Sequence, residues 1–281
     1  MFKPATMQID GTQLHYIQQG KGPAVIFVHG AISDYRSWQF QIEPFSRKYC
    51  AISYSRRFAY PNMSTGDARK DNTIEGSASD LAELIRKLDL APAFVVGHSS
   101  GAFTALYCAY KNPDLIKSLV LGEPPILPLL EKSHLESDVK LLQGFRDNAR
   151  KPAEEAFDRG EDERAVRVFL DGVMGKQNFF DLIPAQVRQI IMDNAKSLQG
   201  EIEKGMPSSF SINDVKKIST PSLLVKGEFS PRFLLRITEI LSENMPNSEQ
   251  ATIPGVTHDL GRMTKAETFN TKVMEFLAKH G

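Results

Sequence analysis

Cysteine is scarce in this chain: Cys50 and Cys108 are the only two in 281 residues, and no CxxC or paired Cys/His spacing accompanies them. That rules out a disulfide framework and leaves a dedicated metal site without its usual ligands, so the two thiols are expected to be small buried hydrophobes. No cofactor and no metal is expected. Net charge is missing too, since 34 Lys and Arg balance 34 Asp and Glu. A basic face that captures nucleic acid is therefore not expected, while a small neutral substrate needs no steering field. No run reaches the roughly eighteen apolar residues of a membrane span. The N-terminal MFKPATMQIDG lacks the apolar stretch of a secretory signal. Repeats and low-complexity tracts are also absent. The expectation is a cytoplasmic protein that acts on a small molecule, with association into a homodimer left open.

What is present is ordinary in bulk and specific in pattern. Hydrophobic residues make up 41% and charged residues 24%, as in a globular domain, and the length suits one large α/β domain or a core with an insertion. Residues 7–20 read as two short strands around Asp10-Gly11. Ala24–Gly30 is a nearly unbroken apolar run, which suits a strand covered on both faces. A helical stretch near Tyr35–Tyr49 and a strand at Cys50–Ser55 follow. Residues 58–73 look like a polar loop. Within 75–88, Ala78, Leu81, Leu84, Ile85 and Leu88 mark one helix face. Ala93–Gly97 is a buried strand, Gly101–Tyr110 a helix closed by Asn112-Pro113, and Ile116–Gly122 another buried strand. Buried strands alternating with helices mean right-handed crossovers and a mostly parallel sheet.

The alternation stops across residues 124–214. Three amphipathic stretches are expected there, at about 135–149, 161–171 and 185–199, separated by Pro152, Pro184 and the Gly172–Gly175 segment. We read this as a helical lid inserted into a core of residues 1–123 and 215–281. The core resumes with a strand at Ser222–Gly227, a helix at about 232–244, a strand at Gln250–Pro254 and a last helix at about 263–279.

Gly97-His98-Ser99-Ser100-Gly101 matches G-x-S-x-G. The pattern alone is common, but here it stands where a buried strand turns into a helix, the context a nucleophile elbow requires. Such a turn holds its serine in strained geometry, and small flanking residues avoid clashes with neighbouring elements. The oxygen is then exposed at the carboxyl edge of the sheet, where open α/β folds bind ligands.

With this elbow, the first buried strand ending in His29-Gly30, the helical insertion and the Pro254–His258 segment, the chain resembles the α/β-hydrolase superfamily along essentially its whole length. The resemblance implies a Ser99 nucleophile, since a serine activated by a base can form an acyl intermediate. It implies His258, in the loop after the last strand, as that base. The other five histidines fit less well: His15 lies in an early strand, His134 starts the insertion, His280 ends the chain, His98 packs beneath the elbow and His29 shapes the first loop. The family's oxyanion donors are backbone N–H groups. They correspond here to Ser100 and to Ala31, with Ile32 the adjacent alternative.

The acid departs from the family's common Gly-x-x-Asp, because the segment after Ser222–Gly227 reads Gly227-Glu228-Phe229-Ser230. An acid can instead end the preceding strand, as in some haloalkane dehalogenases and in lactonases of the zearalenone-hydrolase type. That position is Glu123, before Pro124-Pro125, and we take it as the acid in preference to Glu228. The implied function is cofactor-free cleavage of an ester, lactone or related acyl bond, as in carboxylesterases. Carbon–carbon hydrolysis, oxidative or perhydrolytic chemistry on the same triad, and a ligand-binding or signalling role with little turnover are the alternatives. Arg56 and Arg57 are expected to pair with carboxylates or line the entrance, with a structural role preferred, and Trp38 to be core. Some of Phe145, Phe169, Phe179 and Phe180 are expected to wall an apolar acyl pocket, with Phe229 opposite.

Overall fold

The computed structural model describes residues 3–64, 66–204, 207 and 209–281. The apolar runs pair side by side. Strands β1 (Ala5–Ile9) and β2 (Thr12–Gln19) form the expected antiparallel hairpin, with Asp10 and Gly11 both at positive φ in its turn. Strand β2 runs antiparallel to β4 (Cys50–Tyr54), and β5 (Met63–Ser64) pairs with β2. From β4 onward every neighbour is parallel, through β3 (Ala24–Val28), β6 (Ala93–His98), β7 (Ile116–Gly122), β8 (Ser222–Gly227) and β9 (Ser248–Ile253). The order across the sheet is β1-β2-β4-β3-β6-β7-β8-β9.

This order has one reversal. The chain leaves β3 for β4 on one side and returns to β6 on the other. Connections from the carboxyl ends of β3 and β6 therefore diverge, which opens a crevice there. The loop after β3 and the turn after β6 both border it.

Unbroken apolar strands follow from cover on both faces. In β3, Val25 and Phe27 enter one buried cluster with Ile42, Phe45, Phe269 and Val273, from the helices Gln39–Ser46 and Ala266–Lys279. Ile26 and Val28 enter the opposite cluster with Leu81, Leu84, Phe103 and Leu106, from the helices Ile74–Lys87 and Ser100–Lys111. The helix Arg232–Asn244 joins that second face through Leu234 and Ile237. Local chemistry sets the helix ends. Thr73 caps Ile74–Lys87 by accepting from Gly76 N–H, Glu75 sits in the first turn, and Arg86 and Lys87 close the last.

Between β7 and β8 the described chain is helical, and in part differently from expectation. Pro152 does not end a helix. Glu136–Phe145 runs through a π turn at Arg146–Arg150 into Lys151–Asp158, with Pro152 in the first turn of that last segment. A proline costs about 3 kcal/mol or more in an α-helix interior, through a lost bond and a clash with the preceding turn, and here the turn that precedes it is π rather than α. Gly172 does not separate helices either. It lies inside Asp162–Met174, where a Cβ would come within 2.4 Å of Asn148 O, so it permits close helix contact; only Gly175, at φ 63, terminates. The third stretch is two helices, Ala185–Asp193 and Ala195–Glu203, broken at Asn194, whose side chain bonds Asp34 and the Tyr60 N–H of the core. Short helices at Leu127–Glu131 and Phe179–Leu182 carry too few residues to show a period, as does Ala68–Asp71 in the stretch expected as loop, where β5 also falls. The last helix begins at Ala266, after turns where a start near 263 was expected. The insertion has its own small core of Ala153, Phe157, Ala165 and Leu198, against which Ala31 and Ile32 pack. No helix among the described residues is long and apolar enough to cross a membrane.

Candidate active site

Strand β6 ends and the helix Ser100–Lys111 begins within one residue. Ser99 absorbs the turn at φ 54, ψ −128, and its N–H bonds Gly122 O at 2.8 Å. A non-glycine residue in this region stores about 1–3 kcal/mol and persists only where its surroundings impose it. The surroundings are tight. A Cβ at Gly97 would lie 2.5 Å from Ala102 Cα, and one at Gly101 would lie 2.3 Å from the carbonyl oxygens of Val28 and His29. The loop after β3 also leans on the serine, since a Cβ at Gly30 would stand 3.2 Å from Ser99 Cβ.

Glu123 follows β7 and is fully buried, at φ 48. Burying a carboxylate is costly unless it is paired and hydrogen-bonded. Both of its oxygens are engaged: Oε1 accepts the Gly227 N–H at the end of β8 at 2.8 Å, and Oε2 lies 2.6 Å from His258 Nδ1. Nε2 is thereby the ring nitrogen left for proton exchange. Glu228 does something else. It is exposed, and its Oε2 accepts the Gly255 N–H at 2.7 Å. Ser230 is buried, and its Oγ has no hydrogen-bond partner among the described residues.

His98 takes a more definite part than packing. The His258 carbonyl can only accept, so His98 Nε2, 2.6 Å away, carries a proton and donates. The two rings also pack with centroids 4.7 Å apart. Burial, followed by the positive charge of Arg262, pushes His98 well below the usual histidine range. His29 is lowered in the same way, by burial first and then by Arg56. Above about pH 6.5 both are neutral whether the chain is folded or not. Below it the unfolded chain takes up protons that the folded state refuses, so stability falls with pH until the folded values are reached. We expect the melting temperature to drop on acidification below about 6.5, and His98→Asn to flatten that slope, read as Tm against pH.

Ser99, Ser100, Gly30, Ala31, Ile32 and His258 all line one cavity of about 360 Å³, which lies in the range of small-molecule sites. Much of its remaining wall is apolar and comes from the insertion, including Phe145, Phe169 and Phe179. Phe180 instead is buried in the insertion's own core. Phe229 is 67% exposed and does not border the cavity; Phe233, one helical turn on and stacked on Phe145 at 4.7 Å, takes the place expected for it. Trp38 is fully buried as expected, with the Arg262 guanidinium 4.7 Å over its ring. Burial pulls Arg262 down to about 10.

Several charged residues at the site were not singled out as functional by sequence. Arg262 borders the cavity. Arg56, expected to be structural, is buried at the elbow against Ser100 Oγ and paired with Glu201 of the insertion, while Arg57 does pair with Asp80. Among the described residues no group of three or more His, Cys, Asp or Glu is arranged to hold a metal ion.

A family model described as the alpha/beta hydrolase fold matches residues 23–260. An uncharacterized hydrolase of Bacillus subtilis, YraK, is 26% identical over 176 residues, which is 62% of this chain and 65% of that protein, just under two thirds of its length. The serine hydrolase BPHL of Mus musculus is 22% identical over 277 residues, covering 97% of this chain and 86% of the mouse protein. The crystal structure of an enol-lactonase from Burkholderia xenovorans superposes with a TM-score of 0.79 at 17% identity, covering 98% of this chain and all of that one.

Proposed function

The chain belongs to the α/β-hydrolase fold family, and on that premise we propose that it is a serine hydrolase that cleaves an ester or lactone through an acyl-Ser99 intermediate. The observation that carries this reading is the 2.6 Å contact between the buried Glu123 carboxylate and His258 Nδ1, beside an elbow serine on the same cavity. Ser99 Oγ attacks the acyl carbon while His258 Nε2 takes its proton, and Glu123 stabilises the resulting imidazolium. The carbonyl electrons move onto oxygen, where the N–H groups of Ala31 and Ser100 receive the charge. As the tetrahedral species collapses, the imidazolium protonates the departing oxygen, which leaves as an alcohol or, from a lactone, stays tethered to the acyl chain. Water then attacks the acyl-serine with His258 again as base, and the acid is released. The two unpaired buried thiols suit a cytoplasmic setting.

In this reading residues 124–214 act as a cap whose apolar lining sets acyl size. The test is a turnover screen over aryl esters and lactones of graded acyl length, run on the parent, Phe169→Ala and Phe179→Ala. Turnover of a short or medium acyl ester is expected, with preference in the variants moving toward bulkier acyl groups by about tenfold per lost aromatic, the scale of apolar pocket contacts. Tight ligand binding without turnover across the series would instead support a receptor. Variants that simply unfold would make these aromatics packing rather than pocket.

A further inference from the structure

The Gly30 carbonyl is the other end of the peptide unit whose N–H belongs to Ala31. Two donors reach it: Arg56 Nη2 at 3.0 Å and His29 Nδ1 at 2.8 Å. His29 can donate there because its Nε2 accepts the Arg56 backbone N–H at 2.9 Å, which leaves the proton of the neutral ring on Nδ1. A carbonyl polarised in this way strengthens the N–H at the far end of the same peptide, because linked hydrogen bonds reinforce one another at low dielectric. Arg56 Nη2 also lies 3.2 Å from Ser100 Oγ, on the residue whose N–H is the second oxyanion donor. One guanidinium nitrogen thus touches both halves of the oxyanion site.

That nitrogen is also held from the insertion. Glu201, on the insertion helix Ala195–Glu203, places Oε1 2.5 Å from it, and the side chains of the pair are only 3% and 8% exposed. Arg56 Nε is buried without an acceptor among the described residues. The fork is therefore not fixed by a second carboxylate contact at Nε; Glu201 and the elbow set its position.

We propose that Arg56 is a positioning residue for the oxyanion site, and that Glu201 makes its placement depend on the docking of residues 124–214 over the core. The inference rests on the acyl-Ser99 reading. With the insertion docked, Glu201 neutralises the guanidinium and holds it against Gly30 O and Ser100 Oγ. With the helix withdrawn, Arg56 would be a buried cation without a counter-charge. It would turn toward water, and the Gly30–Ala31 peptide would lose a polarising contact and a support. The oxyanion donors are in register only when the cavity is covered.

The test uses the full chain with a short-chain aryl ester, the rate of fluorophosphonate labelling at Ser99, and thermal unfolding. Arg56→Lys keeps the charge but cannot span three acceptors. It is expected to lower kcat and the labelling rate together by about 10- to 100-fold, less than the roughly 10²–10³ for losing a whole oxyanion donor, with KM within about twofold. Glu201→Gln is expected to move both in the same direction by about 3- to 10-fold. Glu203→Gln removes the ion pair between the same helix and Arg69, away from the cavity, and is expected to leave both rates unchanged. The assignment is overturned if Arg56→Lys and Glu201→Gln alter only KM or thermal stability, or if Glu203→Gln slows both rates as much as Glu201→Gln. Should Arg56→Lys fail to fold, the comparison of Glu201→Gln with Glu203→Gln decides. A parent not labelled at Ser99 overturns the acyl-serine reading and this inference with it; a labelled parent with unaffected variants overturns this inference alone.

Discussion

Ser99→Ala is expected to remove about five to six orders of magnitude of turnover, the scale seen when a serine nucleophile is deleted, while the protein stays folded. A fluorophosphonate probe should label the parent on a single peptide containing Ser99 and leave the variant unmodified. Residue 99 sits at φ 54, ψ −128, where glycine is at ease and other residues are strained. Ser99→Gly should therefore be equally inactive yet at least as stable as Ser99→Ala. Relief of about 1–3 kcal/mol of strain outweighs the roughly 0.5–1 kcal/mol that glycine costs in chain entropy. Labelling spread over several serines, or persisting in Ser99→Ala, would remove the serine from the mechanism.

The second large effect is expected at Glu123. Glu123→Gln keeps the shape and the bond from the Gly227 N–H but removes the charge that stabilises the imidazolium. Loss of the orienting carboxylate in a serine protease costs about four orders of magnitude in kcat, and about three to four are expected here. Glu228→Gln should change turnover by less than about threefold, because that side chain is exposed and serves only the Gly255 N–H. Ser230 offers a second arm. Its buried hydroxyl has no partner among the described residues and stands after β8, where the resemblance implies an acid. Ser230→Asp on the Glu123→Gln background should regain part of the rate. A nearly active Glu123→Gln beside a dead Glu228→Gln would move the acid to the later loop, and two active variants would leave a Ser–His dyad.

The positions of this candidate site were legible in the sequence for local reasons, whatever their roles prove to be. The elbow needs small residues within two places of the serine, between an apolar run and a helix, so a five-residue word plus its flanks carries the signal. Glu123 was legible through an absence: Ser230 cannot supply charge, which directed attention to the only acid ending the neighbouring buried strand. The unbroken run at Ala24–Val28 and the Leu119–Leu121 stretch of Ile116–Gly122 reported cover on both faces and hence the parallel sheet.

What was not legible depends on contacts between distant segments. Arg56 and Glu201 are 145 residues apart, and Glu201 looks in sequence like one more acid on an amphipathic helix. Phe229 and Phe233 are equally apolar; only the turn after β8 decides that the second faces the cavity. Pro152 misled because a proline that follows a π turn within a continuing helix and one that ends a helix are the same letter. Asn194 breaks a helix because the core supplies its side chain with two partners, which no local propensity reports.

In the proposed triad, the bond from Gly227 N–H to Glu123 moves the acid's anchorage onto the sheet itself. Where the acid sits in the loop after β8, that loop must keep its length and course to keep catalysis. Here residues 228–231 carry no acid in the proposed triad, with Phe229 in solvent, yet they stay tied to the stretch before His258, through Glu228 N–H to Ile253 O at 3.1 Å and Phe229 N–H to Val256 O at 2.9 Å. The exposed Phe229 side chain is consequently the place to attach a reporter dye, whereas a changed loop length would pull on the stretch that leads into His258.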